Sequence, residues 1–75
     1  MLETVETVQT DVDEIGMTAG KVWGFLAENG PSSLNKLTKN LEASRDLVYQ
    51  AVGWLAREDK IEFEQAVRGR LIRLK

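Results

Sequence analysis

The spacing of hydrophobic residues in this chain changes once, at Lys60, and that change constrains the fold more than any other feature. Before it, apolar residues recur as they do along one face of a helix. After it, in IEFEQ, Ile61 and Phe63 alternate with Glu62 and Glu64, the period of a strand. Two interruptions divide the helical part. Asn29-Gly30-Pro31 stops a first helix, because glycine accepts the left-handed conformation at a helix end and proline cannot continue the hydrogen-bond ladder. Ser44 then offers an N-cap for a third segment.

The first helix is expected from Ile15 to about Glu28, with Asp13 as its N-cap and Glu14 favoured by the helix dipole in its first turn. Ile15, Ala19, Val22 and Leu26 share its core face, flanked by Trp23 and Phe25. A second, shorter helix follows a serine cap and turns Leu34, Leu37 and Leu41 inward, leaving Asn35, Lys36, Lys39 and Asn40 outward. Just before it, Pro31 to Ser33 suits a brief extended piece that joins a sheet. The third helix, over 44–58, buries Leu47, Val48, Ala51, Val52, Trp54 and Leu55. A turn near Arg68-Gly69 folds the strand back, with Ile72 and Leu74 inward on the return. Helix, short helix, helix and hairpin make a mainly α chain with a small β-hairpin, an α+β arrangement. This is the element order of a winged helix-turn-helix, a three-helix core plus a C-terminal wing.

Charge is distributed unevenly over this plan. The net charge is -2, but five of the twelve acids (Glu3, Glu6, Asp11, Asp13, Glu14) lie in the first fourteen residues, which hold no base. The remainder carries ten bases against seven acids, and RGRLIRLK at the end contains four bases and no acid. Residues 1–12 therefore read as a flexible acidic arm and 13–75 as the folded domain. Valines at 5, 8 and 12 have a helix-compatible spacing, so a short helix is the alternative for that arm.

The chain has no cysteine and no histidine, which excludes disulfides, thiol nucleophiles, histidine bases and the usual zinc ligands. No cofactor or metal is expected, and the chain is not read as an enzyme. No apolar run is long enough to span a membrane, and no signal peptide is recognised, so a cytoplasmic location is the expectation.

Two blocks, IGMTAGKVWGFLAENGPSSLNKL and VYQAVGWLAREDKIEFE, carry a more specific signal. Over roughly Asp13 to Lys75 the chain resembles a family of very short prokaryotic winged helix-turn-helix proteins of unknown function. The resemblance implies the winged-helix fold and assigns no activity; DNA binding follows only by analogy of fold.

In a DNA-binding winged helix the third helix enters the major groove. Its outward residues here are Arg45, Asp46, Tyr49, Gln50, Gly53, Ala56 and Arg57, with Ser44 at its start. Arg45 suits a guanine edge, Gln50 an adenine edge and Tyr49 a phosphate. Lys36 and Lys39 on the second helix suit the backbone of double-stranded DNA, and Arg68, Arg70 and Arg73 make the wing its basic flank. Two readings compete with this. Glu62 and Glu64 could pair with Arg73 and Lys75 across the hairpin, and Asp46 weakens an already sparse positive surface.

Glycines present a further question. Gly16, Gly20 and Gly24 recur every four residues with Ala27 beside them, at a cost on the order of 3 kcal/mol relative to alanine. Either the third helix or the acidic arm packs closely there, or the stripe is a protein interface, a homodimer in which first helices meet. Gly53 sits in the third helix on its outward side, which favours a DNA groove or a partner surface. Trp23 and Trp54 are expected in the core or at its edge. A docking module without DNA binding is thus the alternative to a small DNA-binding regulator.

Overall fold

The computed structural model of the chain describes residues 9–67 and 69–75, with side chains from Val12 onward. Three helices are followed by a hairpin: α1 (Gln9–Asn29), α2 (Leu34–Asn40), α3 (Arg45–Arg57), β1 (Ile61–Ala66) and β2 (Gly69–Leu74). The mainly α architecture with one antiparallel hairpin is the one expected.

Helix ends form where the local chemistry satisfies the backbone. Gly30 adopts a φ of +77° and donates its N–H to the Leu26 carbonyl at 2.8 Å, while the Asn29 amide reaches the Phe25 carbonyl at 3.0 Å. Ser33 and Ser44 cap α2 and α3, each hydroxyl accepting at 3.1 Å from the backbone N–H three residues on. At the end of α3, Lys60 N–H bonds the Leu55 carbonyl and Asp59 N–H the Ala56 carbonyl. This is a Schellman pattern, with Asp59 in the left-handed region at φ 62°.

The start of α1 differs from expectation. Asp13 lies within the helix rather than at its cap, because Gln9 to Val12 contain no residue that stops a helix and Val12 keeps the spacing of Ile15 and Ala19. The stretch read as an arm is therefore helical from Gln9; residues 1–8 lie outside the described residues.

β1 and β2 pair with Ile61 opposite Leu74, Phe63 opposite Ile72 and Ala66 opposite Gly69, and Gly69 has a φ of +133° where the return strand begins. Ser32 joins the other side of β2 by two backbone hydrogen bonds with Ile72, of 2.9 and 2.8 Å, so the extended piece expected before α2 is present. β2 is consequently the middle strand and β1 an edge.

The core gathers Ala19, Val22 and Leu26 of α1, Leu37 of α2, Val48, Ala51, Val52 and Leu55 of α3, and Ile61 and Ile72 of the hairpin. Ile15 is half-buried. Three expectations are corrected here. Phe63 shares the inner face with Ile72 but stays 47% exposed, because it lies on the edge strand beyond the helices. Trp54, read on the buried side of α3, is 37% exposed, and Ala56, read as outward, packs partly against the core; Trp23, 46% exposed, sits at the core's edge as expected. Among the described residues no helix is long and apolar enough to cross a membrane.

Candidate nucleic-acid interface

The outward face of α2 and the first turn of α3 enclose a cleft of about 590 Å³, lined by Asn35, Lys36, Thr38, Lys39, Asn40 and Arg45. Ser33 and Ser44 set this geometry, since each cap fixes where its helix starts, and buried Leu37 holds α2 from behind. Three of the six lining side chains are cationic and none is acidic. Glu42, in the turn between the helices, lines a separate groove beside Glu14 and Lys21.

Arg45 is held in the cleft by two neighbours, Asn35 and Tyr49. Its Nη2 donates to Asn35 Oδ1 at 3.0 Å, its Nε donates to the Tyr49 hydroxyl at 3.2 Å, and its guanidinium carbon lies 5.7 Å from the Tyr49 ring centre. The side chain is thus drawn toward α2. Asn35 is the residue that sequence reasoning left without a role: ten positions separate it from Arg45, and no pattern in the chain signals that pair. Tyr49 and Gln50 are exposed one turn further along α3, and Asp46 is exposed without lining the cleft. The Ser44 hydroxyl is engaged in its cap.

The wing is basic in sequence, but two of its bases, Arg73 and Lys75, are paired with acids. Arg73 pairs with Glu62 directly across the hairpin and with Glu64 at 3.4 Å, and Lys75 bonds Asp59 at 2.5 Å. Pairing of Arg73 follows the cross-strand reading, whereas Lys75 finds Asp59 instead of a strand glutamate. Arg70 lies 5.8 Å from the centre of the Phe63 ring. Arg68 lies outside the described residues.

This arrangement of helices and hairpin has known counterparts. The model of the Winged helix-turn-helix domain (DUF2582) family matches residues 10–74, nearly the whole chain. The chain belongs to this winged helix-turn-helix family. It is 47% identical over 51 residues to the uncharacterized protein MJ1608 of Methanocaldococcus jannaschii, spanning 64% of this chain and 71% of that one. The solution NMR structure of protein BT2368 from Bacteroides thetaiotaomicron superposes with a TM-score of 0.75 at 36% identity, over 85% of this chain and 78% of that one.

In this winged helix-turn-helix domain the glycine stripe is open. A Cβ placed at Gly16, Gly20, Gly24 or Gly53 meets nothing within 4 Å, so the expectation of close packing by α3 is not met among the described residues. Gly16 and Gly20 instead line a groove of about 440 Å³ with the half-exposed Trp23 and Trp54. Gly24 and the exposed Ala27 continue the same α1 face.

Proposed function

We propose that the domain binds double-stranded DNA, with α3 directed to the major groove and the α2–α3 cleft set on the sugar-phosphate backbone. The observation that carries this reading is the cleft itself: Lys36, Lys39 and Arg45 converge, with no carboxylate among the lining residues. Winged-helix membership supports the docking mode. In this reading the protein is a binding module rather than an enzyme, acting in the cytoplasm as a small transcriptional regulator by occupying its site. Fluorescence anisotropy with labelled duplexes tests it. Affinity is expected to fall steeply as salt rises, with a log-log slope of roughly -0.9 for each phosphate neutralised. Absence of binding at low salt removes the reading.

A second reading is favoured by the open glycines. On α1, Trp23 and Met17 lie three residues to either side of Gly20, and Gly16 and Gly24 lie four to either side. An antiparallel second copy of α1 crossing at Gly20 would set each Trp23 beside the partner's Met17 and each Gly24 opposite the partner's Gly16. A helix of 21 residues offers a strip roughly 30 Å long and about 10 Å wide, on the order of 300 Å², short of the ~800 Å² per partner of a stable interface. The homodimer would therefore be weak. Light scattering over a concentration series decides it: a constant monomer mass excludes this partner, and Gly20→Leu should abolish any dimer seen.

A further inference from the structure

We propose that the α2–α3 cleft is a seat for a phosphate group, and that Arg45 there anchors a phosphodiester of the DNA backbone instead of reading a base. The inference rests on the duplex-binding reading and assigns its contacts.

The geometry of Arg45 comes first. A guanidinium has five N–H donors, and Asn35 and Tyr49 occupy two of them. The remaining three, two on Nη1 and one on Nη2, are left for the oxygens of a phosphate, which a guanidinium fork can meet. Asn35, which lines the cleft, accepts through Oδ1, so its amide NH₂ remains a free donor. Lys36 and Lys39, three residues apart on α2, add two ammonium groups to the rim. Every charged side chain lining the cleft is thus a cation.

The direction of the side chain decides between backbone and base. A base reader must project from the helix toward the floor of the groove, whereas Arg45 is turned aside to α2 and held over Tyr49. α2 is the helix that crosses the backbone in this docking mode. Holding the fork in place beforehand also reduces the ordering cost when the anion arrives. Gln50 is then the remaining candidate for a base edge on this face, and the Arg45 contact carries position rather than sequence.

Two measurements on the full chain test this. In the first, ¹⁵N-labelled protein is titrated with sodium phosphate and, separately, with sodium chloride at matched ionic strength. The Arg45 Nε–H and Asn35 side-chain amide signals should move with phosphate and not with chloride. In the second, Arg45→Ala is compared with wild type on two unrelated duplexes. Both should weaken by a similar factor, and the log-log salt slope should become less negative by about 1. Phosphate-dependent shifts without any duplex binding would leave the seat standing and remove the DNA reading. Duplex binding without those shifts, or an Arg45→Ala loss confined to one sequence, would overturn the seat and leave the DNA reading intact. Silence in both measurements removes both.

Discussion

The α2–α3 cleft and the wing hold the same number of described bases and put them to different uses. In the cleft, Lys36, Lys39 and Arg45 make no ion pair among the described residues; in the wing, Arg73 and Lys75 do, and Arg70 lies beside Phe63. The cause is register. Strand pairing sets Glu62 opposite Arg73 and Glu64 diagonal to it, while α2 contains no acid that could do the same for its lysines. A count of bases therefore overstates the positive surface of the wing and understates that of the cleft. The regions also differ in support: Leu37 behind the cleft is fully buried, whereas Phe63 in the wing is half-exposed.

The largest effect that sharpens this comparison is on stability. Leu37→Ala should destabilise the domain by about 2–5 kcal/mol, since it empties a closed site. Phe63→Ala should cost only about 1 kcal/mol, because roughly half of its ring is already in water. Urea denaturation followed by tryptophan fluorescence measures both, and similar losses would mean that the wing is as firmly packed as the cleft.

Next in size are the binding changes. Lys36→Ala with Lys39→Ala should make the log-log salt slope for duplex DNA less negative by about 2, while Arg73→Ala should leave it unchanged. The converse experiment is to release the wing. Glu62→Gln with Glu64→Gln frees Arg73 and removes two negative charges, so duplex affinity should rise and its salt dependence steepen. The stability cost should stay below about 1 kcal/mol, the range for partly exposed ion pairs. Unchanged affinity in that variant would separate the wing from the DNA altogether.

How far these features can be read from the chain depends on how local their causes are. Ser33, Ser44 and Gly30 act within a few residues of themselves, and the helices they bound were legible. So was the hairpin, from its alternation and from Gly69, and the two sequence blocks already pointed to the family. Asp13 misled because a good capping residue can also sit inside a helix when nothing upstream stops it. Phe63 and Trp54 misled because periodicity assigns a face but not the extent of the layer that covers it. The Arg45–Asn35 bond joins two helices, and the Lys75–Asp59 bond joins the last residue to the end of α3; both arise only once tertiary packing exists.

That last pair supplies the smallest and most local test of the contrast. The hydrogen bond with Asp59 holds the Lys75 ammonium above its ordinary pKa of 10.5, the Asp59 charge and more distant Glu62 add to it, and desolvation opposes them. A cation whose folded pKa is raised contributes stability that is full below the unfolded value and is lost as pH rises through the folded one. The window is therefore alkaline, and neutral or acidic conditions down to the carboxylate range leave this contribution in place. Asp59→Asn is the cleanest perturbation, because asparagine also tolerates the left-handed backbone at φ 62° and the end of α3 should survive. An NMR titration of the Lys75 side chain should show its pKa returning toward the ordinary value in the variant. If Lys75 titrates identically in both proteins, the ion pair does not persist in water. The wing would then present a free cation, and the difference between the two basic regions would narrow to Arg73 alone.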